Sequence, residues 1–444
     1  MTVNEAISKL DDFSLETRLG ALEFLAGAES FPEAGPLYNL HCHSFFSYNA
    51  NGWSPSRIAY ECRKAGLFAT GLCDFDVLDG VEEFIKAGEI LGIRTAAHVE
   101  TRAFISELSA VDINSPGEHG VAYTMGCGFF RDPLPDSPEA AGTARERANA
   151  QSRNLGLVQR INAALPEVAI DIERDLMPIT PRRNPTERHI ISAFRVRANQ
   201  VFPDAAAHAA YWSKVAKRTP DELLALESNI PAFEELLRSA LAKRGGVGYK
   251  DPDISAFPPI ESLVGWIKAA GAIPTCAWLD GTSDGEADAE RLVELMVSKE
   301  FAAMNIIPDR NIRGKTEEQT RLKLKKLGEL VAACVKRDLP VIIGTEMNKH
   351  GLPFVDDITA EVYAPYRKIF TDGAYVLAGH TKLARYANAP YLGARAVAEF
   401  ASLPERNAFY AAVGRAAPLT VAQAAELRAM GTERAFSWLS DSRA

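Results

Sequence analysis

Short apolar runs alternate with helical segments over much of this 444-residue chain, and this alternation limits the possible folds more than any other feature. FATGLCDF and LPVIIG are typical of buried strands, whereas SPSRIAYECRKAGL and GVEEFIKAGEILG have the spacing of helices. Strands that alternate with helices predict a mostly parallel sheet or a β/α barrel. The sequence therefore predicts an α/β fold.

The alternation is interrupted in the middle of the chain. Residues 131–250 contain long helical patterns and almost no strand signal, which predicts a helical insertion. We expect the β/α part to comprise residues 36–130 and 251–385, with a helical segment before it at 1–35 and another after it at 386–444. The barrel would then be built from two stretches of chain that the insertion separates.

Polar side chains of the types that bind ligands follow five of the predicted strands. In barrels and open α/β sheets, the loops after the strands converge at one end and form the active site. Five such placements in one chain predict a functional site at that end of the sheet. The residues are His41 and His43 after LYNL, Asp74 and Asp76 after ATGLC, Glu100 after TAAHV, Arg310 after FAAMNII, and Glu346 after LPVIIG.

The His41-Cys42-His43 motif points most directly to a metal ion. In an extended chain alternate side chains face the same side, so both imidazoles can meet one cation. Neutral imidazole is a common ligand of zinc, iron and manganese, and such sites also need anionic ligands. A chance pair of histidines is the alternative for this motif alone, and the carboxylates of Glu100 and Glu346 favour the metal interpretation.

Composition argues against several classes of partner. The 49 Lys and Arg residues are outnumbered by 58 Asp and Glu residues, which gives a formal net charge of -9. This balance predicts no general attraction to nucleic acid or to an anionic membrane. The sequence contains no long uncharged apolar stretch and does not start like a secretory signal. With six scattered cysteines and no C-x-x-C pair, we expect a cytoplasmic protein with reduced thiols.

The motifs of the N-terminal half resemble those of the PHP (polymerase and histidinol phosphatase) superfamily. The resemblance lies in HCHSFFSYNANGWSPSRIAYECRKAGLFATGLCDFDVLDG, HVE and EHGVAY, and it covers about 36–130 and 260–385. It implies a distorted (β/α)7 barrel, which is TIM-like, with a helical insertion. It also implies a metal-dependent hydrolase of phosphoesters that binds up to three metal ions.

The resemblance assigns metal-binding roles to five residues. Two histidines match the first motif, one glutamate matches the bridging carboxylate, one histidine matches the histidine that follows it, and a second glutamate replaces a late aspartate. These residues are His41, His43, Glu100, His119 and Glu346.

Three positions where the family has metal ligands hold other residues here, namely Phe75, Trp278 and Asn348. Phenylalanine and tryptophan cannot bind a cation, and asparagine is a weak oxygen donor. We therefore expect one divalent ion of the zinc, manganese or iron type, with a second only if His119 and Asp74 recruit it.

Catalysis at such a site needs a proton acceptor and a cationic partner for a developing anion. Asp76, Asp74 or His119 could accept the proton, and Arg310 could bind the anion, because guanidinium suits phosphate and carboxylate oxygens. Each basic residue could instead be a solvated loop charge. Further candidates for substrate binding in the strand-end loops are Arg102, Lys349 and His350.

These residues predict a metal-dependent hydrolase that acts on a phosphoester of a small molecule. One alternative is the hydrolysis of an amide or another ester at the same centre. A second alternative is a catalytically inactive protein that binds a metal or a phosphorylated ligand. If Asp76 and Arg310 point away from the metal, the inactive alternative gains support.

Overall fold

The computed structural model describes residues 1–251 and 253–441, without the side chain of residue 255. In this part of the chain, seven strands form one sheet in sequence order. The strands are β1 (Tyr38–Cys42), β2 (Ala69–Phe75), β3 (Arg94–Phe104), β4 (Val121–Phe129), β5 (Ile273–Trp278), β6 (Ala303–Ile306) and β7 (Val341–Ile343).

The sheet is nearly closed, because the residues after β7 return to β1. Cys42 and Glu346 form an isolated parallel bridge between the two edges. The Glu346 N–H donates to the carbonyl of His41 at 2.7 Å, and the His43 N–H donates to the carbonyl of Glu346 at 2.8 Å. The sheet is therefore a TIM-like barrel, and the predicted fold class is confirmed.

Strand β4 makes the barrel irregular, because it runs antiparallel to both of its neighbours while the other strand pairs are parallel. Strand β3 pairs with β4 in a register that joins Glu100 to Met125 and Phe104 to Val121. Glu100 therefore lies within β3, whereas the sequence had predicted that it lies at the end of a strand. The residues after Glu100 continue the strand because an antiparallel partner satisfies their backbone groups.

Two glycines permit the strands to approach closely at the edges of β1. A Cβ atom on Gly71 would lie 2.5 Å from the carbonyl oxygen of Leu40, and one on Gly344 would lie 2.3 Å from the backbone nitrogen of His41. A side chain at either position would force the backbones apart. The barrel can close at His41 only because residue 344 has no side chain.

Helices make up most of the other regular structure and form the middle of the chain. In the part of the chain that the structure describes, no helix is long and apolar enough to cross a lipid bilayer. The helices are α1 (Val3–Lys9), α2 (Leu15–Ala28), α3 (Pro55–Lys64), α4 (Val81–Leu91), α5 (Pro138–Ala164), α6 (Glu187–Val201), α7 (Ala205–Ala216), α8 (Pro220–Leu224), α9 (Ile230–Leu241), α10 (Ile260–Ala269), α11 (Ala289–Ser298), α12 (Pro308–Ile312), α13 (Glu317–Val335), α14 (Arg367–Ala387), α15 (Ala394–Glu399), α16 (Leu403–Arg415), α17 (Val421–Ala429) and α18 (Thr432–Asp441).

The described chain forms two compact units, each with its own buried apolar core. The first contains residues up to Ser44, Asn49–Thr143 and the residues from Phe257 onward, and it includes the whole sheet. The second contains Phe45–Tyr48 and Ala144–Ala256, and its regular structure is helical.

The N-terminal helix α2 is anchored to the barrel helix α4 by a buried ion pair. Arg18 Nε donates to Oε1 of Glu83 at 2.8 Å, and its Nη2 contacts the other carboxylate oxygen. The same carboxylate accepts hydrogen bonds from the backbone N–H and the hydroxyl of Ser56. Both partners are at least nine-tenths buried, so removal of either one leaves an uncompensated charge in the core.

We expect Arg18→Leu to lower the free energy of unfolding by about 3–5 kcal/mol, because it leaves the Glu83 carboxylate buried without its partner. Chemical denaturation followed by circular dichroism measures this loss. The double variant with Glu83→Leu should recover part of the stability, since no buried charge remains. A loss below about 1 kcal/mol in the single variant would show that the pair contributes little.

Candidate metal centre

His41, His43 and Glu100 come together although they lie on β1, just after β1 and on β3. One ligand atom from each side chain lies within 4.8 Å of the other two, a spacing that could hold a metal ion. The Nε2 atoms of His41 and His43 lie 3.5 and 3.2 Å from Oε2 of Glu100. Two ligands bound tetrahedrally at about 2.1 Å from one zinc ion lie about 3.4 Å apart, so these distances fit a shared cation.

The three side chains are deeply buried, and their charges depend on one another. Burial alone would raise the pKa of Glu100, but the neighbouring His41 and His43 hold it below its ordinary value. Burial alone would lower the pKa of His41, but ionised Glu100 raises it above the ordinary value. Nε2 of His41 makes no hydrogen bond with any described residue. A buried carboxylate facing two imidazoles is a donor set that a divalent cation satisfies well.

His43 is held in place by residues of β2 and of the loop that follows β1. The ring of Phe75 packs against the His43 imidazole with a centroid distance of 4.1 Å. Ser44 donates from its N–H and its hydroxyl to the two oxygens of Asp74, at 2.8 and 2.7 Å. Asn49 donates to the carbonyl of His43 at 2.7 Å. Phe75 thus packs against the candidate metal ligand His43. The resemblance implies a metal ligand at the position of Phe75 itself.

Glu346 lies beside this group without being part of it. Its backbone is fixed by the hydrogen bonds that close the barrel, and its φ of 67° is a left-handed conformation that few non-glycine residues adopt. Burial and the charge of Glu100 raise the pKa of Glu346, while His41 and Arg310 act in the opposite direction. The Glu346 carboxyl therefore lies close enough to Glu100, His41 and Arg310 for their charges to change its pKa.

Arg310 follows β6, on the short helix α12, and is half-buried. Its positive charge favours the ionised form of Glu346, so the guanidinium lies near that carboxyl. The guanidinium makes no hydrogen bond or ion pair with another residue among those described. The sequence had predicted an anion-binding role for Arg310, and the structure leaves this cation available for such a role.

The structure does not bring His119 to the predicted metal site. Its side chain is 61% exposed and forms an ion pair with Asp112 at 2.9 Å. The reason is the direction of β4. His119 lies before the start of this antiparallel strand, six positions before Met125, which is the residue that pairs with Glu100.

The two aspartates predicted as proton acceptors accept hydrogen bonds from neighbouring residues. Both oxygens of Asp74 accept hydrogen bonds from Ser44. Asp76 accepts a hydrogen bond from the hydroxyl of Thr101 at 2.5 Å. Because successive side chains of a strand point to opposite faces, Thr101 lies on the face of β3 opposite Glu100. Neighbouring residues thus donate hydrogen bonds to both aspartates, and their role as proton acceptors stays a prediction.

The predicted substrate-binding residues are also dispersed. Arg102 forms an ion pair with Glu118 at 2.6 Å and lies over the ring of Phe257 at 4.8 Å from its centroid. Its charge is therefore already compensated. Lys349 and His350 are exposed in the loop after β7.

Asn39 was missed by the sequence analysis although it organises the site. Its Oδ1 accepts the N–H groups of His41 and Thr345, and its Nδ2 donates to the Thr345 hydroxyl and to the Phe354 carbonyl. This fully buried amide joins β1 to the loop that carries Glu346. The sequence feature that could have identified Asn39 is a polar residue inside an apolar strand. A buried amide in such a strand must find hydrogen-bond partners.

Asp356 is a further buried carboxyl in the loop after β7. Its Oδ1 accepts the N–H of Asp309 at 3.0 Å, and its Oδ2 has no hydrogen-bond partner among the described residues. Burial and the charge of Asp309 raise the pKa of Asp356 to about 7. The folded protein therefore holds this proton more tightly than the unfolded chain does. The resulting stabilisation is fully present below the ordinary pKa of 3.8 and is lost as pH rises through about 7.

We expect Asp356→Asn to stabilise the protein increasingly with rising pH. The amide keeps an acceptor for the Asp309 N–H but never ionises. Between pH 5 and pH 8 the free energy of unfolding of the variant relative to the unsubstituted protein should rise by about 2–3 kcal/mol. Denaturation curves of both proteins across this range measure the difference. A difference that does not change with pH would mean that Asp356 is already ionised in the folded state.

Two solved structures are similar to this chain. One is a proposed metal-dependent phosphoesterase from Bifidobacterium adolescentis, with 18% identity, a TM-score of 0.46 and coverage of 74% of this chain and 95% of that chain. The other is an amidohydrolase from Chromobacterium violaceum with bound sulfate and no metal, with 16% identity, a TM-score of 0.47 and coverage of 75% and 95%. No family model and no curated protein matches the sequence. The function is therefore argued from the residues of this chain.

Proposed function

We propose that this protein is a metal-dependent hydrolase that acts on a phosphoester of a small molecule. The observation that carries the proposal is the buried group of His41, His43 and Glu100, whose ligand atoms lie within 4.8 Å of one another beside the closure of a β/α barrel. Two imidazoles and a carboxylate suit zinc, iron or manganese. When bound, such an ion polarises a phosphoryl oxygen and makes water a stronger nucleophile.

Arg310 supports an anionic substrate. Its guanidinium is half-buried near Glu346 and makes no ion pair in the described part of the chain. Guanidinium binds two phosphate oxygens at once, which orients the group and offsets its charge. A neutral amide would leave this cation without a partner, so the residue favours a phosphoester. The acidic overall charge favours a small substrate over nucleic acid.

Glu346 replaces the two aspartates as the proposed proton acceptor. A general base works best when its pKa lies close to the working pH, and burial together with the charge of Glu100 raises the pKa of Glu346 in that direction. Its fixed backbone at the closure of the barrel holds the carboxyl beside the cluster. In this proposal Glu346 takes a proton from water while Arg310 holds the phosphoryl group.

Metal analysis of the purified protein and assays of the metal-loaded protein test this proposal. The assays use phosphomonoesters and phosphodiesters with added zinc, manganese or iron, and an amide and a carboxylic ester as comparison substrates. We expect one bound ion per chain and hydrolysis of a phosphoester. Three ions per chain, or hydrolysis of the amide or carboxylic ester alone, would contradict the proposal.

Binding without turnover is a second candidate function, because Asp74 and Asp76 are engaged by Ser44 and Thr101. In that case the centre would hold a metal, and Arg310 would bind a phosphorylated ligand that is not cleaved. Metal binding combined with inactivity toward every substrate in the panel would support this candidate.

A further inference from the structure

Asn305 is a buried amide of strand β6 that contacts the ring of His41. Its Oδ1 lies 3.1 Å from Nδ1 of His41, and its Nδ2 donates to the carbonyl oxygen of Ile342 on the neighbouring strand at 3.3 Å. The residue is 1% exposed. Water therefore has almost no access to the amide, and its two ends must be satisfied by these protein groups.

The carbonyl of Ile342 decides which way the amide faces. A carbonyl oxygen only accepts hydrogen bonds, so the NH2 end of Asn305 must point toward it. If the amide were reversed, two acceptor oxygens would face each other in a buried site. A backbone group of β7 thus fixes the Asn305 oxygen against the imidazole of His41.

This orientation determines where the neutral imidazole carries its proton. An oxygen acceptor at 3.1 Å requires Nδ1 of His41 to be the donor. The lone pair then resides on Nε2, the nitrogen that lies 3.5 Å from Glu100 and has no hydrogen bond of its own among the described residues. In the other tautomer the proton on Nε2 would occupy the position that a cation needs.

We propose that Asn305 is a positioning residue for metal binding, which holds His41 in the tautomer and ring orientation that present the Nε2 lone pair to the ion. The inference rests on the proposed function only in requiring that a metal ion occupy the cluster. A hydrogen-bond partner that orients a metal-binding histidine is worth about 10–100-fold in metal affinity.

The test compares zinc affinity in the full-length protein, measured by competition with a chromophoric chelator. We expect Asn305→Leu to weaken zinc binding by about 10–100-fold. Asn305→Asp should weaken it less than Asn305→Leu does, because one carboxylate oxygen still accepts the proton of Nδ1 while the other faces the Ile342 carbonyl. Asn311→Leu is the matched control: it removes another fully buried amide of the same β6–α12 segment, one that donates to Leu279, and it should leave zinc affinity unchanged.

Nitrogen-15 NMR of the histidine-labelled, zinc-loaded protein measures the tautomer directly and needs no variant of Asn305. The signals of His41, identified by their absence from His41→Gln, should show the proton on Nδ1 and zinc on Nε2. A proton on Nε2 would overturn the inference, as would an unchanged affinity in Asn305→Leu or an equal loss in Asn311→Leu.

These outcomes separate the inference from the proposed function. If the unsubstituted protein binds zinc and Asn305→Leu binds it equally well, only the role of Asn305 is wrong. If the unsubstituted protein binds neither zinc nor manganese nor iron, the metal centre itself is wrong and both proposals fail. Melting temperatures of the metal-free variants show whether each one is folded before its affinity is interpreted.

Discussion

Glu100→Gln should empty the metal centre and abolish metal-dependent hydrolysis. Glutamine has nearly the same shape, but it carries no charge and is a weak ligand for a divalent ion. The two imidazoles would then face a neutral group in a buried site. We expect metal affinity to fall by more than about 100-fold. Loss of a residue that only orients a metal ligand already lowers the affinity by about 10–100-fold. Metal content after dialysis and a binding titration measure the effect.

His119→Asn is the matched control for this experiment. The resemblance suggested that His119 binds metal, but its side chain is exposed and paired with Asp112. We expect this variant to retain its metal and its activity. If both variants lose metal to the same extent, the assignment of the centre to His41, His43 and Glu100 is wrong.

Glu346→Gln should separate catalysis from metal binding. The substitution removes the proposed proton acceptor, and positioned acid–base groups contribute about 10²–10⁴-fold to rate. We therefore expect a fall of this size in kcat while the metal content stays near one ion per chain. Steady-state kinetics and metal analysis on the same preparation measure both quantities.

Asp76→Asn serves as the comparison for Glu346→Gln. The Asp76 carboxylate already accepts a hydrogen bond from the hydroxyl of Thr101, so its replacement should cost much less activity. Loss of metal together with activity in Glu346→Gln would show instead that Glu346 is a ligand, as the resemblance implies. A larger loss of activity in Asp76→Asn than in Glu346→Gln would show that Asp76 is the base.

The barrel and the core of the centre could be predicted from local sequence because both depend on short-range rules. The alternation of strand and helix patterns gives the fold class. The two-residue spacing of His41 and His43 places both rings on one side of an extended segment. Glu100 was found by its position after an apolar run, even though its strand continues to Phe104.

The errors arose where the outcome depends on pairing between strands. The sequence did not reveal that β4 runs antiparallel, and this direction is what separates His119 from Glu100. It also did not reveal that Asp76 would accept a hydrogen bond from Thr101, a residue of the neighbouring strand. A one-residue change of position along a strand moves a side chain to the other face, and such details are not encoded in apolar runs.

Asn39 and Asn305 illustrate a different limit. Their partners lie 306 and 264 positions away in the chain, at Thr345 and His41. Nothing near either asparagine identifies those partners. What the sequence does offer is a polar residue within an apolar strand, and such residues merit attention as parts of buried networks.

The hydrogen bonds that join β1 to the segment after β7 have a consequence for biosynthesis. The peptide groups of His41, His43 and Glu346 join the barrel edges, and they are made at opposite ends of the barrel's chain. A growing polypeptide on the ribosome would therefore display its histidines long before their setting exists. The hydrogen bonds that close the barrel beside these histidines can form only after the segment that follows β7 has been made.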